Sequence, residues 1–545
     1  MQVSHVDGGV VAPRRGAGLT ATNLNDDTIW GLPGAVVDPP IPGVEAFTTT
    51  PLLDHLRAAA ARDPGAVALA GQAAELRYAD LLRLSLNVAG AVAARVPAGR
   101  AVACHLPRSP EGVAAVLGCL ISGRVCLILD PTNPPDRQAA LLADAAPAAV
   151  LVAEGLPCES PAPVLPMREA MAHQHPDSRP DPAWDPDAPL VVHYTSGSSG
   201  RPKGIVLSAR SVLLRAAGLA HSWALTQDDR ILGPSVPVGS AGPSILFAGL
   251  SCAARVVLSD LRAEGAGAVL RLVEQQAVTC AALQPAVLRL LFQHPRVDAA
   301  FRHLRSLRIG AAALPRADLA AWRAHLPLDC SILHPYSSTE ALEIARWAVP
   351  PDDAGDEATV AAGRLQCVHD YALLGEDDRP VARGEAGELV LRSRCVALGE
   401  WQGGRLVPGR MPPVAGRPGW RFFRTGDLLR VQPDGMMRVL GRADRQVKIN
   451  GFRVEPAEIE AVLRAVPGVA DAAVVATTAS DRVTLHGFVA ATDVDPAALV
   501  ATLRERLAAG LPPRSRPSSL VVLDRLPTLP GGKIDLLALT RLAGS

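Results

Sequence analysis

The stretch His193–Gly204 reads HYTSGSSGRPKG. An apolar LVV run leads into it, and it then offers four hydroxyls (Thr195, Ser196, Ser198, Ser199), three glycines (Gly197, Gly200, Gly204) and Lys203. Glycines let backbone N–H groups turn toward an anion, hydroxyls add donors, and a lysine adds charge; this is a phosphate-cradling composition. It is not a Walker loop, because Pro202 stands where that pattern needs a glycine before the lysine. A Ser/Gly loop alone also suits a flexible connector, so the preceding strand and the lysine carry the functional reading.

Four further stretches pair reactive residue types with turns. In HPYSSTEALE, Glu340 follows Thr339 at the end of a predicted strand. A carboxylate beside a phosphate loop suits magnesium, whereas a Thr-Glu pair by itself is more often a helix start. In FFRTGDLL, Asp427 could accept hydrogen bonds from ribose hydroxyls or simply cap its own turn. GRADRQVKINGFRVEPAEIE carries Lys448, and LPTLPGGKIDLLAL carries Lys533 after a Gly-Gly pair. The chain has 54 lysines and arginines, yet Lys203, Lys448 and Lys533 are its only lysines. Arginine is a planar fork and lysine a compact point charge. Lysine retained in these loops marks places where charge must reach a single oxygen.

The elements that must position these loops alternate. From Leu52 onward, helical spacing (LRYADLLRLSLNVAGAVAARV, SPEGVAAVLGCLISG, RQAALLADAAP) alternates with short apolar strands (AVACHLP, RVCLILDP, AAVLVAEG). That pattern predicts an α/β fold with parallel, doubly wound sheets covered by helices. A Pro/Asp-rich connector, HPDSRPDPAWDPDAP, interrupts it before it resumes to about Leu333. The last hundred or so residues read differently: a hairpin at LLRVQPDGMMRVLG, a stripe of Ile459, Val462, Leu463 and Val466, two paired strands and a second amphipathic helix. We divide the chain into an irregular arm (1–45), a large domain (46–443) and a small α+β lid domain (444–545).

Acids and bases balance at 54 each with no basic run, which argues against nucleic acid and membrane-surface partners. The nine cysteines form no CxxC pair and lie mostly in apolar runs, as buried thiols do. The N-terminus lacks the apolar core of a signal peptide, and the most apolar stretch is broken by Arg124. A cytoplasmic location is expected.

In this order and with these gaps, the five stretches resemble the core motifs of the adenylate-forming superfamily: acyl-CoA synthetases, adenylation domains of nonribosomal peptide synthetases, and beetle luciferases. The match runs from about Leu52 to Leu539, and RTGDL, QVKINGFRVEPAEIE and LPTLPGGKID look most like the peptide-synthetase branch. The resemblance implies an AMP-forming acid–thiol ligase that uses ATP and magnesium. A carboxylate would attack the α-phosphate, and a thiol would then displace AMP. Thr195 to Gly204 would hold the phosphates, Thr339 and Glu340 would serve the α-phosphate and the magnesium, and Tyr336, Asp427 and Arg442 would belong to the nucleotide site. Lys533 would bridge substrate carboxylate and α-phosphate. Asp444 would be the hinge, with Lys448 and Gly451 facing the site only in the thioester-forming state.

The same resemblance places Ser240, Ala241, Ser244, Ala282, Leu307, Ile309, Pro335, Glu343 and Ile344 around the acid. Enzymes of this kind that activate α-amino acids normally have an aspartate at the Ser240 position, and no acid occurs from Ile231 to Ser259. An ordinary α-amino acid is therefore not the expected substrate, because its ammonium would be buried unpaired. The lining reads as small and apolar with one acid, Glu343. If Glu343 faces inward, a distal amine or guanidinium could pair with it; if it faces solvent, the substrate is uncharged. YSSTE also has Ser337 and Ser338 where Gly-Pro is usual, with the acid retained.

The leading expectation is a stand-alone adenylation enzyme in nonribosomal peptide or related natural-product biosynthesis. Only twelve residues follow Lys533 and no HHxxxDG motif precedes the adenylation region, so the phosphopantetheine arm is expected on a separate carrier protein. The alternative is an acyl-CoA or aryl-CoA ligase using free CoA. A nucleotide-binding regulator that had lost its chemistry would be expected to lack Lys533, Glu340 or Asp427, and all three are present.

Overall fold

The computed structural model describes residues 27–174, 184–195, 202–234, 241–353, 359–443, 446–449, 452–479, 482–491, 494–527 and 534–544. The predicted alternation builds two large sheets. In the first, the strands Ala101–His105, Val125–Ile128 and Ala149–Val152 run parallel, with Ala103 beside both Leu127 and Val150. The hairpin Pro189–Thr195 and Lys203–Ser208 joins this sheet, pairing Thr195 with Lys203. In the second, Arg230–Pro234, Cys280–Leu283, Ser306–Ile309 and Ser331–Ser338 are parallel neighbours or near neighbours, and Leu342–Val349 adds antiparallel to the last.

One apolar cluster holds residues of both sheets together with the helices Tyr78–Arg95, Pro110–Ile121, Ala209–Ser222 and Ala241–Ser251. With 3% aromatic residues, packing depends on close approach of small side chains. A Cβ at Gly118 would lie 2.5 Å from the Cβ of Val88 on the neighbouring helix, so only glycine fits that crossing. Tyr78 is one of the few large exceptions, fully buried and donating to the Ala254 carbonyl at 2.7 Å.

A four-stranded antiparallel sheet completes the large lobe, with Arg421–Val431 paired to Met437–Arg442 through the predicted Pro-Asp-Gly turn. In the small lobe the helices Pro456–Arg464 and Pro496–Gly510 cover the strands Asp471–Ala479, Arg482–Ala490 and Ser519–Leu523. Ile459, Val462, Leu463 and Val466 pack into its core, as their spacing predicts.

Residues 27–45 are more tied down than the expected irregular arm. They include a short 3-10 turn, Asp27–Ile29, and the start of the helix Val44–Thr49. Val36 bonds backbone to backbone with Gly435 and Leu365, and Asp38 pairs with Arg346 at 3.1 Å. Six cysteines are buried, Cys158 and Cys252 are half-buried and Cys367 is exposed; all nine are free thiols. No helix among the described residues is long and apolar enough to cross a membrane.

Candidate active site

Asp427 and Arg442 face each other directly across the antiparallel ladder, and Arg442 Nη1 donates to Asp427 Oδ1 at 2.5 Å. The other carboxylate oxygen accepts from the Tyr336 hydroxyl, which arrives from the strand Ser331–Ser338. Asp427 is fixed from behind as well: its N–H donates to Thr425 Oγ1, which donates to the Leu389 carbonyl at 2.9 Å. Burial, with Asp427 adding to it, holds the Tyr336 phenol well above its ordinary pKa. It therefore stays a donor.

Glu340 sits in the turn between Ser331–Ser338 and Leu342–Val349. A register shift between Tyr336 and Ser337 and a left-handed backbone at Leu342 (φ 58°) shape this turn. Glu340 is buried; its Oε1 accepts from Arg453 Nη1 at 2.5 Å, and its Oε2 has no hydrogen-bond partner among the described residues. Burial alone would raise its pKa, but Arg453 and Arg410 outweigh it and hold the carboxyl below the usual glutamate value. Thr339, half-buried, precedes it in the turn.

Arg453 belongs to the small lobe, on the strand Phe452–Val454, and its hairpin partner Val447–Ile449 carries Lys448. The Lys448 ammonium lies 6.0 Å from the centre of the Tyr336 ring, a cation–π approach. Burial, Arg442 and Arg453 together lower its pKa despite the nearby carboxylates of Asp427 and Glu340. A second contact between the lobes, Arg137 Nη1 to Glu458 Oε1 at 2.7 Å, is buried. Lys448, Glu340, Asp427, Arg442 and Tyr336 thus form one constellation drawn from both lobes.

Thr195 and Lys203 stand at the two ends of the Ser/Gly loop, where Thr195 Oγ1 donates to the Lys203 carbonyl at 3.5 Å. Lys203 Nζ lies 3.9 Å from the buried carboxylate of Glu400. Ser196, Gly197, Ser198, Ser199 and Gly200 lie outside the described residues, as do Ser240, Asp444, Gly451 and Lys533.

The expected pocket lining divides between the two faces of the second sheet. Ala282 and Ile344 belong to the same apolar cluster as Ala241, at the start of the helix Ala241–Ser251 that also carries the buried Ser244, and Pro335 lies two residues along the strand from Leu333 of that cluster. Leu307 and Ile309 instead pack on the opposite face with Leu232, Val257 and Phe301. The residue between them, Arg308, pairs in register with Ala282 and with Leu333 and so shares their face. Arg308, rather than Leu307 or Ile309, is thus the residue of this strand that shares a face with Ala282 and Leu333.

Glu343 fits neither expected arrangement. It is buried, but Arg308 Nη2 donates to its Oε2 and Arg346 Nη1 lies 3.3 Å from its Oε1. Burial opposes its ionisation, yet Arg308, Arg346 and Arg215 together keep its pKa below the ordinary 4.5. Two arginines thus offset its charge, with Oε2 taken by Arg308 and Oε1 beside Arg346 but without a hydrogen-bond partner among the described residues.

The two-lobed fold agrees with comparison to known proteins. Residues 56–401 match the model of the AMP-binding enzyme and residues 458–533 that of the AMP-binding enzyme C-terminal domain, and the chain belongs to that family of AMP-forming ligases. It is 32% identical over 537 residues to an isonitrile lipopeptide synthase of Streptomyces coeruleorubidus, covering 92% of this chain and 34% of that protein. It is also 32% identical over 458 residues to a dimodular nonribosomal peptide synthase of Bacillus subtilis, covering 80% of this chain and 18% of that protein. The chain thus spans about a third or less of these relatives. Among solved structures, an artificially fused adenylation–PCP di-domain from Klebsiella oxytoca superposes with a TM-score of 0.74 over 91% of this chain and 96% of that one, at 21% identity.

Proposed function

We propose that this chain activates a carboxylic acid with ATP and passes the acyl group to the phosphopantetheine thiol of a carrier protein, in nonribosomal peptide or related natural-product assembly. The observation that carries this reading is the meeting of Lys448, from the small lobe, with Asp427, Glu340 and Tyr336 of the large lobe.

In the first half-reaction a carboxylate oxygen of the acid attacks the α-phosphorus, and the bond from that phosphorus to the bridging oxygen breaks to release pyrophosphate. The protein's task there is positioning and charge neutralisation. Asp427, clamped by Arg442 and Tyr336, offers acceptors for the ribose hydroxyls. The orphaned, buried Oε2 of Glu340 fits a magnesium ion, a hard cation bound through one carboxylate and substrate phosphates. Held there, that ion would supply positive charge against the phosphates. Thr195 to Lys203 would hold the phosphates and Lys533 would meet the charge that builds at the α-phosphate. In the second half-reaction a thiolate attacks the acyl carbonyl carbon and AMP leaves with the electron pair of the broken C–O bond. The described arrangement, with Lys448 at the site, corresponds to this second step; rotation at Asp444 would exchange it for Lys533. A cytoplasmic setting suits nine free thiols.

The test is ATP–pyrophosphate exchange over a panel of acids, followed by mass analysis of a phosphopantetheinylated carrier and of free CoA. Acid-dependent exchange and acylation of the carrier support the reading. Exchange with no acid removes it, and acylation of CoA alone replaces the carrier as acceptor.

A further inference from the structure

The cluster at Glu343 has a chemistry that acid activation alone does not require. Arg308 is buried in the short strand Ser306–Ile309, flanked by the apolar Leu307 and Ile309. One of its terminal nitrogens, Nη2, bonds Glu343, while Nη1 has no hydrogen-bond partner among the described residues. A buried guanidinium N–H left unmade is expensive, so it marks a place for an acceptor.

The surroundings are cationic and dry. Arg346 lies beside Glu343 and also donates to Asp38, which accepts from Gln366 as well. Arg215, half-buried on the helix Ala209–Ser222, lies within electrostatic range of Arg308 and Glu343; desolvation and Arg308 together lower its pKa to about 10. The histidines packed nearby, His334 and His369, are held neutral by burial, both with pKa lowered to about 4. A cavity of about 30 Å³ opens among Arg215, Glu343, Gln366 and His369. It is small, and its polar edge is made by one guanidinium (Arg215), the Glu343 carboxylate, the Gln366 amide and the His369 ring.

A second, independent feature points the same way. No aspartate or glutamate occurs from Ile231 to Ser259, the segment that includes the start of the helix Ala241–Ser251 against the pocket. That segment offers an ammonium group no counter-ion, and the arginine cluster would repel one. A carboxylate meets the reverse situation, because arginine binds it through charge-assisted hydrogen bonds.

We propose that the acid activated by this chain is a short dicarboxylic acid without an α-ammonium, whose second carboxylate is bound by Arg308 through Nη1. Glu343 is then a positioning residue, holding the other arm of the Arg308 fork so that Nη1 faces the substrate. The proposal rests on the adenylation reading and narrows its substrate class.

The test is ATP–pyrophosphate exchange with the full chain and dicarboxylic acids from malonate to adipate, each beside its monocarboxylic counterpart of equal length, with α-amino acids alongside. The expected result is a kcat/KM for one or more dicarboxylic acids at least about tenfold above the matched monocarboxylic acid. Arg308→Gln should remove that preference chiefly through KM, and Arg308→Lys, which keeps a charge and loses the fork, should restore part of it. Circular dichroism identifies a variant that does not fold, and the wild-type preference then decides alone. Equal or better exchange with monocarboxylic or α-amino acids overturns the dicarboxylate assignment and leaves adenylation standing. Exchange with no acid at all overturns the adenylation reading, and this inference with it.

Discussion

Arg453 of the small lobe and Glu340 of the large lobe share a buried ion pair at 2.5 Å, although 113 residues separate them in sequence. Arg453 is itself held by Glu455 at 3.3 Å, and Glu455 accepts from Gln446. A guanidinium therefore occupies one oxygen of the carboxylate proposed to take magnesium. Holding the lobes in this arrangement and holding a metal–nucleotide at Glu340 are competing uses of one side chain.

Arg453→Met removes the competitor while keeping the side chain's bulk. It should weaken the described arrangement relative to the one that binds ATP, and about 1.4 kcal/mol is a tenfold change in that balance. Thioester formation should slow about tenfold, with pyrophosphate exchange changed far less. Single-turnover carrier acylation compared with exchange reads both, and equal loss in the two assays would remove Arg453 from the conformational step.

The two lysines of the small lobe should separate the half-reactions. Lys533→Ala is expected to slow pyrophosphate exchange on the order of 100-fold or more, as removal of a transition-state donor does. Lys448→Ala should spare exchange and slow thioester formation, given that Lys448 stands at the site in the described arrangement. If both variants lose both steps equally, the division of labour is wrong.

Asp427→Asn should act on nucleotide binding. The amide keeps one acceptor but removes the charge that faces the half-buried Arg442. KM for ATP should rise about 10- to 100-fold while KM for the acid stays nearly constant. A rise confined to the acid would move Asp427 out of the nucleotide site.

Glu343→Gln should destabilise the protein in a pH-dependent way. Breaking a buried ion pair on one side costs about 3–5 kcal/mol at neutral pH. Because arginines hold the folded pKa of Glu343 below 4.5, its contribution is complete above pH 4.5 and is lost as pH falls through the folded value. The gap between wild type and variant in urea unfolding should therefore narrow from about pH 7 to about pH 3. A gap that stays constant or widens on acidification would mean Glu343 is not ionised in the folded state.

Much of the architecture was legible in the chain. Apolar runs such as RVCLILD are buried strands because helices cover both sheet faces, and the Ile459–Val466 stripe packs as its spacing requires. Asp427, Glu340 and Lys448 stood out as reactive types in the quoted stretches, and the folded chain brings them together, Glu340 in a turn but Asp427 and Lys448 on strands. Arg308 did not. Within SLRIG it reads as an ordinary strand arginine, and only the register with Ala282 and Leu333 places it on their face, with Leu307 and Ile309 on the other. Alternation along a strand specifies that two faces exist, but which face meets substrate depends on neighbours far away in sequence. The pairing of Glu340 with Arg453 was hidden for the same reason, since it joins two lobes that each fold on their own core.

The scarcity of lysine has a practical side. Among side chains, an amine-selective reagent meets only Lys203, Lys448 and Lys533, and Lys448 is half-buried where the lobes meet. Its lowered pKa leaves more of the reactive free amine than an ordinary lysine has, while the neighbouring lobe restricts the reagent's approach. Labelling at Lys448 should quicken when the lobes part, so its rate would report that opening with no foreign probe attached.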